Sequence, residues 1–170
     1  MKPIYKFTIA GIILVASYIG YRKFNKFISK RGIKFLTDLE GKRNKMYLDS
    51  KGLPTIGVGH LIKPEESNLL SKTLTDLEVQ KLFDKDLDRF EKAVKDSITV
   101  PLKQHQKDAL VSLAFNIGEN GFKRSTLVKA INNKASDSEI IENFLKWRTP
   151  SVLIKRREKE SKLYTTGNYN

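Results

Sequence analysis

Two carboxylates and a hydroxyl stand close together early in the chain. Eight residues separate Glu40 from Asp49, and five more separate Asp49 from Thr55. Splitting an acetal between two sugars needs one carboxylic acid to protonate the leaving oxygen. It also needs a second carboxylate that activates water or attacks the anomeric carbon. Glu40 and Asp49 supply those two groups, and the Thr55 hydroxyl could hold a water beside Asp49. Gly57 and Gly59 allow a backbone or a bound ring to come close. The same residue types at a helix end and in a turn are ordinarily solvated charges, so by themselves they leave the choice open.

The elements that must position these groups can be read from periodicity. Ile33, Phe35, Leu36 and Leu39 predict a short helix ending at Gly41, which puts Glu40 on its last turn beside apolar Leu36 and Leu39. Tyr47 to His60 is rich in turn formers and reads as a small antiparallel sheet, with turns at Ser50-Lys51-Gly52 and around Pro54. Thr75-x-x-Glu78 is a capping box opening a long helix with apolar Val79, Leu82, Phe83, Leu87, Phe90 and Val94. Ala109, Leu110, Leu113, Ala114 and Ile117 form a stripe wide enough for a central buried helix closed by Gly118. Ser125 caps a short helix over residues 126–132. Ser136-x-x-Glu139 is a second capping box, and Thr149-Pro150 is expected to open the last helix. The fold class is α+β, mainly helical: a small β-containing lobe, a long connecting helix and a larger helical lobe.

Set in this frame, the motifs resemble a known family. Glu40-Gly41, Tyr47-x-Asp49 and Thr55-Ile56-Gly57-Val58-Gly59-His60 are similar to the catalytic signature of phage-type lysozymes, the endolysins of glycoside hydrolase family 24. Phe115-Asn116-Ile117-Gly118, Phe122 and Ser125-Thr126-Leu127 look like that family's central helix and the turn after it. Arg156-Arg157-x-x-Glu160 looks like its C-terminal helix, so the resemblance runs in order over about residues 33–164. It implies a lysozyme-like fold and hydrolysis of the β-1,4 bond between N-acetylmuramic acid and N-acetylglucosamine in bacterial peptidoglycan. Carried over by position, Glu40 is the general acid, and Asp49 with Thr55 positions or activates the attacking water. Direct displacement with inversion is the stereochemistry the family implies. Asn116 falls where the family contacts sugar, and Gly57, from its lack of a side chain, is the second candidate for substrate binding. Val58 departs from the aromatic residue common there, and Thr149-Pro150-Ser151-Val152 replaces the glycines of many relatives in a loop bordering the cleft.

Composition narrows the class further. The 170-residue chain carries 32 Lys and Arg against 19 Asp and Glu, a net charge of +13, and no cysteine. Thiol chemistry and cysteine-based zinc sites are excluded, and two distant histidines make a histidine metal site improbable. No cofactor or metal is expected. The charge implies a polyanionic partner, with nucleic acid, anionic lipid and cell wall all qualifying. No nucleic-acid motif accompanies it, so no specific nucleic-acid partner is expected.

The first 34 residues hold eight of the basic residues and no acidic one. Within them Phe7–Tyr21 is a charge-free apolar run of 15 residues, short of the roughly 20 a comfortable span needs. It reads as an N-terminal hydrophobic helix acting as a weak signal-anchor or export segment, giving domains at 1–34 and 35–170. The expected location is the inner membrane and periplasm of a bacterial host. The six basic residues that follow the run would favour a cytoplasmic body, in tension with an enzyme that must reach the wall.

Other side chains read more simply. His60 is expected to be structural, tying the sheet to the long helix through a carboxylate. His105 reads as surface, Trp147 as core, and the basic run from Lys146 to Lys162, Arg156 and Arg157 included, as a solvated face. A monomer is expected. Two other classes compete: a lytic transglycosylase, which would need no Asp49–Thr55 pair, and a non-enzymatic cationic membrane-disrupting protein.

Overall fold

The computed structural model describes residues 27–49 and 52–170. The Phe7–Tyr21 run and the turn residues Ser50 and Lys51 lie outside the described residues. Among the described residues, no helix is long and apolar enough to cross a membrane.

Helix α1, Lys30–Glu40, starts because Ser29 in extended geometry accepts the Gly32 N–H on its side chain. It stops at Gly41, whose φ of 75° a side chain would resist. The helix begins three residues ahead of its first predicted apolar position, and Ile28 before it is buried. The folded body thus takes in residues on the N-terminal side of position 34.

Three strands follow: β1 Arg43–Leu48, β2 Pro54–Gly57 and β3 His60–Leu61, antiparallel in that order. Tyr47 pairs with Thr55 and Thr55 with Leu61, so these three share one face. Ile56 and His60 pair on the opposite, buried face. Pro54 does not make a turn: it is the first residue of the central strand β2, opposite Leu48, a strand-start position at which proline is tolerated.

Helix α2, Asp76–Ser97, carries the predicted box: Thr75 accepts the Glu78 N–H while the Glu78 carboxylate accepts the Thr75 N–H. Its stripe of Val79, Phe83, Leu87, Phe90 and Val94 is buried. Helix α3, Gln104–Ile117, is the axis of the larger lobe, with Ala109 through Ala114 all fully buried. Short helices α4 (Glu119–Lys123) and α5 (Thr126–Asn132, capped by Ser125) lead to α6, Asp137–Leu145. Ser136 caps α6 by accepting the Glu139 N–H. Thr149-Pro150 does not open the last α-helix directly. Pro150 precedes a 3-10 turn over Ser151–Leu153, and α7 runs Ile154–Thr166. Helices α3 and α7 pack together, and α1 lies against α3.

Candidate active site

Glu40 occupies an unusual place for a carboxylate. It ends α1, where the helix dipole is negative and favours cations, and α1 carries no basic residue in its last turn. The compensating charge comes from far along the chain: Arg156 Nη1 on α7 lies 2.6 Å from Glu40 Oε1, and that oxygen is buried with no other partner. A side chain at Gly59, after β2, would point at Glu40 Oε2 3.6 Å away and at the Phe115 ring 3.4 Å away. Glu40 therefore sits at the junction of the sheet with α3 and α7.

Arg156 belongs to a buried ionic chain. Its Nε donates to Glu160 Oε1 at 3.0 Å, and Ser112 Oγ on α3 donates to the same oxygen at 2.6 Å. Arg157 Nη1 lies 2.8 Å from Glu160 Oε2, and Arg157 Nη2 donates to Asn116 Oδ1 at 2.6 Å. Glu160 and Arg157 are wholly inaccessible and Arg156 is 9% exposed. With Glu40 ionised, two guanidinium groups face two carboxylates and the assembly is neutral, which makes its burial tolerable in that state. Burial works against the charge of Arg156, but Glu160 and Glu40 outweigh it and hold its pKa above the ordinary value. For Arg157 burial prevails over the attraction of Glu160, and its pKa is pulled down.

The reading of this basic run as a solvated face is therefore corrected for two residues. Lys155 and Lys159 are exposed, whereas Arg156 and Arg157 point inward. The available signal was Arg-Arg-x-x-Glu itself, which puts Glu160 one turn beyond both arginines.

Asp49 is organised locally. Its N–H donates to the Leu53 carbonyl at 2.9 Å, and its Oδ1 accepts the Leu53 N–H at 2.9 Å, closing the hairpin mouth. Thr55 Oγ1 donates to the Leu53 carbonyl at 3.1 Å, and Thr55 is 4% exposed. Tyr47 lies opposite Thr55, and its phenol is raised by burial, then by Glu40, with Arg43 opposing and Asp49 adding to the rise. One phenol thus feels both carboxylates, a link between Glu40 and Asp49 that sequence reasoning did not supply.

The remaining named residues fall elsewhere. Gly57 is buried, and a side chain there would face Val79 and Leu82 of α2, 3.6 and 3.8 Å away. The Asn116 carbonyl is engaged by Arg157. His60 is 5% exposed on the inner face of the sheet, with Nδ1 2.7 Å from Asp86 on α2 and Nε2 3.0 Å from Glu66. Trp147 is partly buried against the core. An open cavity of about 380 Å³ is lined by Glu142, Leu145, Lys146, Arg148 and Thr149, and none of the three candidate catalytic residues borders it.

A sheet lobe and a helical lobe meeting at a carboxylate define a lysozyme-like hydrolase. The family model for phage lysozyme matches residues 37–160, and the chain belongs to that family: it is a lysozyme, an enzyme that hydrolyses bacterial peptidoglycan. The endolysin of Salmonella phage P22 is 40% identical over 142 residues, covering 81% of this chain and 97% of its own. A crystal structure of a P22 lysozyme mutant superposes with a TM-score of 0.70 at 39% identity, covering 82% of this chain and 98% of that one. The muramidase domain of SpmX from Asticaccaulis excentricus gives a TM-score of 0.73 at 29% identity, covering 82% and 97%. A SAR-endolysin of Bacteriophage PS119 is 35% identical over 94 residues, covering 55% of this chain and 54% of its own.

Proposed function

We propose that this lysozyme cleaves the β-1,4 bond between N-acetylmuramic acid and N-acetylglucosamine with Glu40 as the general acid and Asp49, aided by Thr55, as the base. The carrying observation is the placement of Glu40 between Arg156 of the helical lobe and Gly59 of the sheet, with Tyr47 in the field of both carboxylates. In the step, the Glu40 carboxyl proton passes to the glycosidic oxygen as its bond to the anomeric carbon breaks. Water adds to that carbon, and its proton goes to Asp49. One water is consumed, a new reducing end appears, and exchange with solvent resets both carboxyl groups. Thr55 already donates to Leu53, so its part toward the water is to accept a hydrogen bond from it.

The test is digestion of purified peptidoglycan by the full-length chain and by Glu40→Gln, with mass spectrometry of the products. Reducing-end muropeptides from the wild type and none from the variant are expected. Anhydro-muropeptides would move the chemistry to the transglycosylases, and equal clearing by the variant would remove Glu40 from the mechanism.

The same reading puts the enzyme at the host inner membrane, acting on the periplasmic side through a signal-anchor at Phe7–Tyr21. The apolar run with basic flanks and a SAR-endolysin among the relatives support it. Fractionation of expressing cells should find the protein with membranes or in the periplasm; a purely cytosolic protein would refute it.

A further inference from the structure

Asp108 lies on the second turn of α3, is wholly inaccessible, and takes no part in the hydrolytic step above. Its carboxylate accepts four hydrogen bonds from three separate segments. Oδ1 receives Ser29 N–H at 2.8 Å and Gln104 Nε2 at 2.9 Å. Oδ2 receives Ser29 Oγ at 2.5 Å and the Tyr169 hydroxyl at 2.6 Å. Ser29 is the residue that caps α1, so Asp108 holds the cap that starts the helix ending in Glu40. Gly32, on the first turn of α1, rests directly on this carboxylate: a Cβ there would lie 2.4 Å from Asp108 Cγ.

Tyr169 adds a second hold from the C-terminal tail. Its ring meets Phe35 of α1 edge-on at 6.3 Å, and the Arg31 guanidinium lies 4.1 Å over its face. The left-handed turn at Gly167, which packs against His105, brings the tail back across the start of α3 to make these contacts.

We propose that Asp108 and Tyr169 form a clamp that sets the position of α1, making both positioning residues for hydrolysis and giving the C-terminal tail a part in catalysis. The proposal rests on the assignment of Glu40 as the acid. Its mechanical basis is simple. An 11-residue helix is a stiff rod of roughly 16 Å, and two fixed ends define its placement. Arg156 holds the Glu40 end, and Asp108 with Tyr169 holds the other. Releasing the start of α1 lets the helix rotate or slide, which moves the acid relative to the scissile oxygen while Asp49, held by its own hairpin, stays in place. The loss should therefore fall on kcat and leave KM nearly unchanged.

The experiment measures kcat and KM on soluble, uncross-linked glycan strands by release of reducing ends. The full-length wild type is compared with Glu40→Gln, Asp108→Ala, Asp108→Asn, Gly32→Ala and Tyr169→Phe. Each is assayed well below its own Tm, so that the folded fraction is the same. Asp108→Ala should lower kcat on the order of 100-fold, the size of an ångström-scale misplacement. Asp108→Asn keeps the shape and an acceptor for Ser29 N–H and should recover most of that loss. Tyr169→Phe, which removes only the hydroxyl, should lower kcat roughly 3- to 10-fold, the effect of one hydrogen bond. If Asp108→Ala does not fold, Tyr169→Phe and Gly32→Ala decide. Lowered Tm with unchanged kcat and KM in these variants would make the clamp a stabilising device only and overturn the proposal. An inactive Glu40→Gln beside unaltered clamp variants removes the clamp alone, whereas an active Glu40→Gln removes the acid assignment beneath it.

Discussion

The two candidate carboxylates are held in opposite ways. Glu40 is fixed by distant elements: α7 supplies Arg156, and Glu160, Ser112, Arg157 and Asn116 tie that arginine to the C-terminal half of α3. Asp49 is fixed by its own hairpin, through bonds to Leu53 four residues on. The surroundings differ in the same sense. The ionic chain around Glu40 is almost wholly buried, while the sheet and its first turn expose Leu48 at 64%, Leu53 at 42% and Leu61 at 44%. An acid that must give its proton at a fixed point gains from tertiary restraint. A group that handles water needs solvent contact and can rely on local structure.

The contrast is sharpest when the two carboxylates are removed in turn. Glu40→Gln keeps size and helix but has no proton to give, and should lower kcat by about 10⁴-fold; because it also unpairs Arg156, kcat is read well below the variant's own Tm. Asp49→Asn keeps the acceptor for Leu53 N–H and should cost less, about 10²-fold, because the hairpin geometry is kept and only the proton acceptor is weakened. Equal losses would show that both groups act as one unit and would erase the distinction drawn above. NMR of the first-formed anomer belongs with this pair: inversion is expected if Asp49 activates water and retention if it attacks carbon.

Glu160 tests the tertiary side. Glu160→Gln leaves two buried guanidinium groups facing one carboxylate, and breaking such a pair costs roughly 3–5 kcal/mol. Urea unfolding should register that loss, whereas Asp49→Asn should shift the unfolding midpoint hardly at all. A Glu160→Gln enzyme as stable as wild type would mean that water enters the network.

How much of this was legible beforehand follows from the same division. Helices whose apolar positions recur at three and four, such as α2 and α3, could be drawn from sequence because the period itself records the buried face. Thr75, Ser125 and Ser136 marked helix starts because capping is local. The hairpin around Asp49 was legible for that reason too, although Pro54 was misplaced because proline suits the first residue of a strand as well as a turn. The buried ionic chain was not legible, since nothing in residues 30–40 indicates that their counter-charge lies more than a hundred residues away. Charge runs default to a solvated face, and only packing of α7 against α3 turned Arg156 and Arg157 inward. Asp108 and Tyr169 escaped for the same reason.

Between the two regions stands His60, on the inner face of the sheet but gripped by Asp86 of α2 and by Glu66. It makes the smallest prediction and the one that tells whether the sheet is tied to the helical lobe. Burial alone would depress the imidazole pKa, but the two carboxylates override it, and His60 titrates above its ordinary value of 6.5. Glu66 moves the other way: burial would raise it, but His60, the Lys63 N–H and Lys85 hold it below its ordinary 4.5. A raised histidine contributes stability that is complete below 6.5 and fades as pH rises through its folded pKa. A lowered carboxylate contributes stability that is complete above 4.5 and fades as pH falls through its folded pKa. The two windows overlap between 4.5 and 6.5, so this contact is strongest there and weakens on either side. His60→Gln should therefore flatten the fall in unfolding free energy above pH 6.5, and Glu66→Gln the fall below pH 4.5. If His60→Gln retains the wild-type slope on the alkaline side, the pH dependence originates in the helical lobe and the histidine is only a packed side chain.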